Sequence, residues 1–400
     1  MAARENNPGP VRRIQHLLFS PLKSFLRDSR AVGIVLVLCT VLSLVLSNNA
    51  LTRDSYLSWW LQPTGAPRGW HLPPDILYWI NDGLMAVFFF LVGMEIKREL
   101  LIGELASLRK SMLPVLGALG GMIFPALLFF AFNGGTPYHH GWGIPMATDI
   151  AFSLGILSLL GNRVSLQLKV FLTALAIIDD LGAIVVIAFF YSGGIQVGYL
   201  VGALGLFGVA VALNLLKCRR LLFYLLPGLG IWYCLLNSGI HPTIAGVLMA
   251  FCMPLARIAD LEHALYDVVN FLIMPLFALA NTAIVFPAQA GEIFHSPIAY
   301  GVLLGLFIGK PVGITLFSFL SVKLGIAALP SGTRWKQMWG VGMIAGIGFT
   351  MSIFVATLAY GDVEQQVISK MSVLAASVLA GISGYCFLRW ISPEKGAVPA

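Results

Sequence analysis

The sequence predicts an all-α polytopic membrane protein with twelve transmembrane helices. Hydrophobic residues make up 58% of the 400 residues and charged residues 11%, against roughly 45–50% and about 25% in globular proteins. With 25 basic and 18 acidic residues, the chain has too few charges to cover the surface of a water-soluble domain. A cytosolic enzyme, a disordered protein and a nucleic-acid binder are thereby excluded, despite the net charge of +7.

Twelve apolar segments are candidates for crossing a bilayer, which takes ~20 residues of helix. They are 31–48, 75–96, 112–132, 142–160, 169–191, 197–216, 221–236, 239–255, 265–285, 298–320, 338–360 and 367–390. Spans seven and eight are short. The segments predict a cytoplasmic tail at 1–30, one transmembrane domain at 31–390 and a second cytoplasmic tail at 391–400. The aromatic stretch 49–74 suits a periplasmic hairpin at the membrane surface.

The basic residues test this count independently, because loops on the cytoplasmic side carry an excess of Lys and Arg. With both termini in the cytoplasm, the outside holds only Arg53, Arg68 and Lys370, and Lys310 falls within span ten. The remaining 21 of the 25 basic residues lie inside. An error of one span would destroy this asymmetry, so the positive charge reflects topology rather than a site for polyanions.

Two segments of the chain resemble each other. Gly143–Leu157 aligned with Gly340–Phe354 gives five identities in fifteen positions at a constant offset of 197. The alignment also pairs the similar residues Ser153 and Thr350. Spans three to five and ten to twelve are therefore candidate repeats. Counting spans places the two copies in opposite orientations, and inverted repeats are typical of secondary transporters.

Spans four and eleven also carry residues that weaken helices. Pro145 lies in span four, and Gly346 and Gly348 lie in span eleven. An interrupted helix exposes unpaired amide and carbonyl groups, which membrane proteins tolerate only around a protein-lined cavity. Glycine also permits close helix packing, but because the two segments correspond, the sequence favours two interrupted helices.

Four ionisable residues lie deep in predicted spans: Asp149, Asp179, Asp180 and Lys310. Each costs ~2.5–3.5 kcal/mol on insertion scales and therefore indicates a function. Adjacent helical residues point about 100° apart, so one of Asp179 and Asp180 is expected to face Asp149 and the other Lys310.

Two carboxylates close together, with the hydroxyl of Thr148 nearby, form an all-oxygen site suited to a small hard cation. Without a cation the two carboxylates repel each other, so protons and cations compete for the same oxygens. This is the chemistry of cation/proton exchange.

Several motifs closely resemble those of NhaA-type sodium/proton antiporters. They are Ala147–Ser153, Ala176–Gly182, Gly309–Pro311 and Gly346–Met351, together with Gly93–Leu100 and Gly239–Ala245. The resemblance covers about 31–390, with the motifs in the same order. It implies an electrogenic, pH-regulated antiporter of a bacterial inner membrane that expels Na⁺ or Li⁺ in exchange for H⁺, works without a cofactor and forms a homodimer through 49–74.

The resemblance also implies roles for single residues. Asp149, Asp180 and Thr148 would bind Na⁺ or Li⁺, whereas Asp179 would pair with Lys310 and release a proton when that pair breaks. Four positions match residues tied to pH response at the cytoplasmic mouth or near it: Glu95, Glu99, His241 and Glu262.

A purely structural role stays open for three of these four residues. Glu95 and Glu99 also suit a solvated helix end, and His241 also suits a hydrogen-bonded structural histidine. Where some relatives have basic residues just before Glu262, this chain has Ala259 and Asp260, so an ion pair with Glu262 must use Arg257 or a distant partner.

Other classes of protein make different predictions. A sodium-coupled symporter of an organic solute, on a similar inverted-repeat architecture, would need more polar groups in its cavity and would need adjacent buried acids less. An intramembrane aspartyl protease would need a Gly-x-Gly-Asp context, which Asp149, Asp179 and Asp180 lack. A passive cation channel would conduct without moving protons.

Overall fold

The computed structural model describes residues 29–65, 69–287 and 290–392. Across these ranges the regular secondary structure is helical, and the one strand-like feature is an isolated antiparallel bridge between Pro63 and Asp75. Of the predicted cytoplasmic tails, 1–28 and 393–400 lie outside the described residues. In the predicted hairpin 49–74, the helix Arg53–Trp60 precedes this bridge.

The helices are numbered here in chain order. They are α1 Ser29–Asn48, α2 Arg53–Trp60, α3 Ile76–Leu101, α4 Leu108–Asn133, α5 Ile150–Leu159, α6 Leu166–Phe190, α7 Val197–Leu215, α8 Leu222–Ser238, α9 Ile244–Cys252, α10 Leu255–Asn281, α11 Pro297–Lys323, α12 Trp335–Ala345, α13 Phe349–Ala359 and α14 Val363–Ile391. Shorter helical turns lie at Glu104–Ala106, His139–Met146, Gly161–Arg163 and Ala290–Ile293.

The described residues form a polytopic membrane protein. Nine of their helical segments are long and apolar enough to cross a membrane, or ten if the bent pair α12 and α13 counts as one span. Helix α8 has 17 residues and α9 has 9. At ~1.5 Å per residue α9 extends about 14 Å, roughly half of the hydrocarbon core. The count of twelve spans therefore stays a prediction.

Three long helices contain a π-helical turn, at Trp79–Leu84 in α3, Val269–Ile273 in α10 and Gly305–Gly309 in α11. Such turns occur frequently at functional sites. The turn in α11 ends directly before Lys310, and Pro311 has no backbone N–H to donate to the preceding turn. The helix is therefore locally irregular where the predicted buried lysine stands.

Helices α4 and α11 pack with their backbones in direct contact. A methyl group added at Gly120 would lie 2.2 Å from the carbonyl oxygen of Gly313, and one added at Gly313 would lie 2.1 Å from the carbonyl oxygen of Gly120. Only glycine allows this approach, which membrane helices use to pack closely. The contact joins spans three and ten, the first helices of the two predicted repeats.

Candidate functional site

The two interrupted spans meet at their breaks. Between the 3₁₀ segment His139–Met146, which contains Pro145, and α5, the chain is extended. It lies against the break between α12 and α13, where the axis bends by 49°. The amide of Asp149 donates to the carbonyl oxygen of Ile347 at 2.7 Å, and Thr148 Oγ1 donates to that of Ala345 at 2.9 Å. The breaks therefore satisfy each other's exposed backbone groups.

The two glycines of the second break lie where an added side chain would meet neighbouring atoms. A methyl group at Gly346 would lie 2.5 Å from the carbonyl oxygen of Leu306 in α11, and one at Gly348 would lie 2.1 Å from Ser352 Oγ in α13. The predicted interruption at these glycines is present in the structure, and neither glycine has room for a side chain.

Asp149 caps two helices at once. Its Oδ1 accepts the amide of Phe152 at 3.1 Å in the first turn of α5, while its Oδ2 accepts the amide of Thr350 at 3.2 Å in the first turn of α13. The hydroxyl of Thr350 also donates to Oδ2. Helix N-termini carry partial positive charge, so the buried carboxylate is stabilised by the starts of both helices.

Asp179 and Lys310 form an ion pair that is completely buried. Lys310 Nζ donates to Asp179 Oδ2 and, at 2.8 Å, to Thr148 Oγ1. Thr148 Oγ1 in turn lies 2.7 Å from Asp179 Oδ2. The structure thus brings Thr148 to the ion pair, although sequence reasoning placed it with the cation ligands.

Asp180 lies on another face of α6 and lines a cavity of about 200 Å³ together with Asp149 and Thr350. Both acids are at most 3% exposed, and Asp180 Oδ1 has no hydrogen-bond partner among the described residues. Asp179 faces Lys310 and Asp180 faces the cavity, as the 100° offset between neighbours predicts. The two adjacent acids therefore occupy separate environments.

The more exposed end of the same cavity is lined by Glu95, Arg98 and Glu99 of α3. Arg98 Nη1 lies 2.6 Å from Glu262 Oε2 of α10 and Arg98 Nη2 lies 3.4 Å from Glu99 Oε1. The partner of Glu262 is thus distant in sequence, whereas Arg257 pairs with Asp260 at 3.3 Å. Three of the four residues proposed for pH response therefore meet at one mouth.

His241 lies elsewhere. Its Nε2 is 3.4 Å from Asp82 Oδ1, its Nδ1 is 2.7 Å from Thr243 Oγ1 and its ring meets the ring of Phe354 edge-on. Asp82 precedes Glu95 on α3 by about 20 Å at ~1.5 Å per residue. The structure therefore separates His241 from the three glutamates and gives it hydrogen-bond partners of its own.

Two tyrosines hold the 3₁₀ segment His139–Met146. The hydroxyl of Tyr191 donates to the carbonyl oxygen of His140 at 2.7 Å and accepts the amide of Gly143 at 3.1 Å. The hydroxyl of Tyr360 donates to the carbonyl oxygen of Tyr138 at 2.8 Å. Burial raises the pKa of both Tyr191 and Tyr360, so these phenols stay protonated and able to donate.

Sequence reasoning missed Thr350 as a site residue and treated Lys310 as the only buried lysine. The alignment of the two repeats contained a signal for Thr350, because it pairs that residue with Ser153 beside Asp149. Lys97 and Lys370 are also buried. Lys97 Nζ donates to the carbonyl oxygens of Phe251 at 2.7 Å and Met253 at 2.6 Å, a role that only the folded structure reveals.

A helical membrane protein with a carboxylate-floored cavity beside a buried lysine–aspartate pair has the features of a secondary transporter of small cations. The chain belongs to the family described as Na⁺/H⁺ antiporter 1, whose model matches residues 23–388.

Several named relatives are similar over nearly their whole length. The chain is 51% identical to the Na⁺/H⁺ antiporter NhaA 2 of Flavobacterium johnsoniae, covering 93% of either chain. It is 48% identical to the NhaA of Flavobacterium psychrophilum, covering 92% of this chain and 96% of the relative. The NhaA of Cronobacter sakazakii is 46% identical, with 93% and 98% covered. The family resemblance inferred from the motifs is confirmed.

Proposed function

We propose that this chain is an electrogenic, pH-regulated antiporter that exchanges intracellular Na⁺ or Li⁺ for external H⁺ across a bacterial inner membrane. The observation that carries the proposal is that Asp149 and Asp180 line one cavity, while Asp179 and Lys310 form a separate, buried pair. Family membership supports the same function. The named relatives are Na⁺/H⁺ antiporters, and the symporter alternative finds no support among them.

The charges at the floor explain why H⁺ and Na⁺ must compete. Asp149 is stabilised by two helix starts, and Lys310 is engaged by Asp179. Asp180 has neither kind of partner among the described residues. A bare carboxylate in a buried site is costly, so Asp180 takes up either a proton or a cation. Entry of one expels the other, which couples the two fluxes at one site.

Thr148 connects the cation site to the ion pair in this proposal. Its hydroxyl lies in the ion pair, while the next residue along the chain, Asp149, lies at the cavity floor. If Thr148 turns its oxygen towards a bound cation, Asp179 and Lys310 lose a hydrogen-bond partner. Cation binding then weakens the pair, and a second proton is released. More protons than sodium ions cross per cycle, which makes the exchange electrogenic.

The mouth of the cavity provides the proposed pH regulation. Glu95, Glu99 and Glu262 place three acidic groups around Arg98, which contacts two of them. Loss of the negative charge of Glu262 would break its ion pair with Arg98 and alter the charge at the entrance. His241 contacts Asp82 at the other end of α3, and we assign it a share of the pH response from there.

We also propose the topology inferred from the sequence: twelve spans, two inverted repeats and both termini in the cytoplasm. This orientation puts Arg98 and the cavity mouth on the cytoplasmic side, where intracellular Na⁺ is available. The transporter would act as a homodimer joined through the segment 49–74. Ions are the cargo, and the chemistry at Asp149 and Asp180 needs no cofactor.

Everted membrane vesicles test the exchange directly. Respiration acidifies the vesicle interior, and adding Na⁺ or Li⁺ should dissipate the pH gradient if the protein exchanges these ions for protons. Asp180→Asn should abolish this response because it removes the open carboxylate. Glu364→Gln serves as the control, since Glu364 is exposed in the first turn of α14 and does not line the cavity.

The same assay separates the alternatives. Full activity of the Asp180→Asn protein would refute the assignment of the site. A response that required an organic solute in addition to Na⁺ would identify a symporter, and Na⁺ flux with no movement of protons would identify a channel.

A further inference from the structure

Thr350 lines the cavity together with Asp149 and Asp180. It is the second residue of α13 and is 1% exposed. Both its amide and its hydroxyl donate to Asp149 Oδ2. The exchange proposed above gives Thr350 no part, although its hydroxyl contacts one of the two acids that would bind the cation.

The two acids differ in how open they are to an incoming cation. Asp149 accepts one hydrogen bond from Phe152 at Oδ1 and two from Thr350 at Oδ2. Asp180 Oδ1 is buried and accepts none from the described residues. A cation that enters the cavity therefore meets an open carboxylate at Asp180 and a carboxylate at Asp149 whose oxygens are already occupied by protein donors.

A dehydrated small cation also needs more ligands than these two acids. Hard cations bind several oxygen atoms at once, and no group of three or more His, Cys, Asp or Glu side chains suited to a metal ion forms among the described residues. Neutral oxygens must complete the coordination. Thr350 Oγ1 is such an oxygen, and it already lies in hydrogen-bond contact with Asp149 Oδ2, so one ion can touch both atoms.

We infer that Thr350 Oγ1 is a ligand of the transported cation and that its hydroxyl closes Asp149 when the cation is absent. A hydroxyl has one rotatable hydrogen and two lone pairs. When the cation enters, the hydrogen turns away from Asp149 Oδ2, and the oxygen presents a lone pair to the ion. Asp149 gains a free acceptor in the same movement. This inference rests on the proposed cation exchange.

The position of Thr350 suits this exchange of partners. Its amide keeps its bond to Asp149 when the hydroxyl turns, so the start of α13 stays attached to the acid. The branched side chain has few rotamers, which fixes the oxygen at a defined distance from the ion. Li⁺ is smaller than Na⁺, and the two ions therefore depend differently on this ligand.

Substitutions of Thr350 test the inference. Thr350→Val keeps the shape and removes the hydroxyl, whereas Thr350→Ser keeps the hydroxyl. Ser153→Ala is the matched control, because the alignment pairs Ser153 with Thr350, and Ser153 is buried, donates to the carbonyl oxygen of Ile344 at 3.2 Å and does not line the cavity. The measurement is the Na⁺ and Li⁺ concentration for half-maximal exchange in proteoliposomes, with direct binding of ²²Na⁺ to purified protein.

The Val variant should raise the half-maximal Na⁺ concentration and weaken ²²Na⁺ binding by about tenfold, the factor expected for ~1.4 kcal/mol. It should also change the ratio between Na⁺ and Li⁺. For the Ser variant and for Ser153→Ala, the half-maximal Na⁺ concentration should stay within about threefold of the value for the parent protein, which corresponds to less than half of that free energy.

An unchanged half-maximal concentration in the Val variant would overturn the inference. A lower concentration would overturn it too, since Thr350 would then only obstruct Asp149. If the Val and Ser variants both lost affinity for Na⁺ and Li⁺ to the same extent, Thr350 would have a structural role, and the inference would again be overturned. Failure of the proposed function looks different, because Asp180→Asn would then retain exchange whatever the Thr350 variants do.

Discussion

Replacing Lys310 by Met should destabilise the protein strongly because it leaves Asp179 as an unpaired buried charge. Lys310 and Asp179 are both fully buried, and Thr148 is the other hydrogen-bond partner of Lys310 Nζ. Removing one member of such a pair costs about 3–5 kcal/mol. At about 2 °C per kcal/mol, the lower value for chains of 150–250 residues, the melting temperature should fall by roughly 6–10 °C.

The double variant Lys310→Met with Asp179→Asn isolates the cause. Replacing both members of a buried ion pair by neutral groups is often nearly neutral for stability, so the double variant should recover most of the lost melting temperature. Thermal unfolding of the purified protein in detergent measures all three proteins. The loss in the single variant should shrink at acidic pH, where Asp179 can take up a proton.

Transport by the single variant tests the proposed proton role of Lys310. Currents from proteoliposomes on a solid-supported membrane report the charge moved during transport, and this charge should fall in the single variant. The half-maximal Na⁺ concentration should change by less than about threefold, which corresponds to less than ~1 kcal/mol. An unaltered melting temperature, or a double variant as unstable as the single one, would refute the energetic reasoning. An unchanged current and pH profile would remove Lys310 from proton transfer.

Three further predictions concern the surroundings of the site. Gly346→Ala puts a methyl group 2.5 Å from a carbonyl oxygen of α11 and should cost about 1–3 kcal/mol in a thermal melt, whereas Gly361→Ala, in open space, should cost little. Arg98→Gln and Glu262→Gln break the same ion pair, so their effects on the pH of half-maximal vesicle activity should not add in the double variant; full additivity would argue against coupling. Tyr360→Phe loses a hydrogen bond worth about 0.5–1.5 kcal/mol. Burial raises the pKa of Tyr360, so this stability is present below the ordinary tyrosine pKa of about 10 and is lost only above it. Melts at about pH 6 and about pH 9 should therefore show the same difference.

The architecture was predictable where apolar length or charge decides the outcome. Hydropathy indicated long helices, and glycine and proline indicated the two breaks. Helix α10 begins at Leu255, ten residues before the predicted span 265–285. The prediction missed its first turns because they mix apolar and charged side chains. Ile258 and Glu262 are buried there, and a segment that buries only one face does not stand out by average hydropathy.

The candidate site was predictable in its charged residues and in Thr148, which stands directly before Asp149, but not in Thr350. Asp149 and Lys310 stand out in the sequence because charges are rare in apolar segments. Neutral polar residues such as Thr148 and Thr350 are common in membrane helices and carry no such signal. Whether such a residue belongs to the site depends on whether its side chain faces the cavity. Contacts between residues about 200 positions apart in the sequence determine this orientation.

The crossing of the two breaks has a consequence for how the protein is made. Asp179 precedes its partner Lys310 by 131 residues, and Asp149 precedes Thr350 by 201 residues. At a synthesis rate of about 5–20 residues per second, the acids wait roughly 7–40 s before their partners exist. During that time three carboxyl groups sit in the inserting N-terminal half with no lysine or second helix start to satisfy them. The site is therefore completed late in synthesis, first when α11 brings Lys310 to Asp179 and then when the second interrupted span brings the start of α13 to Asp149.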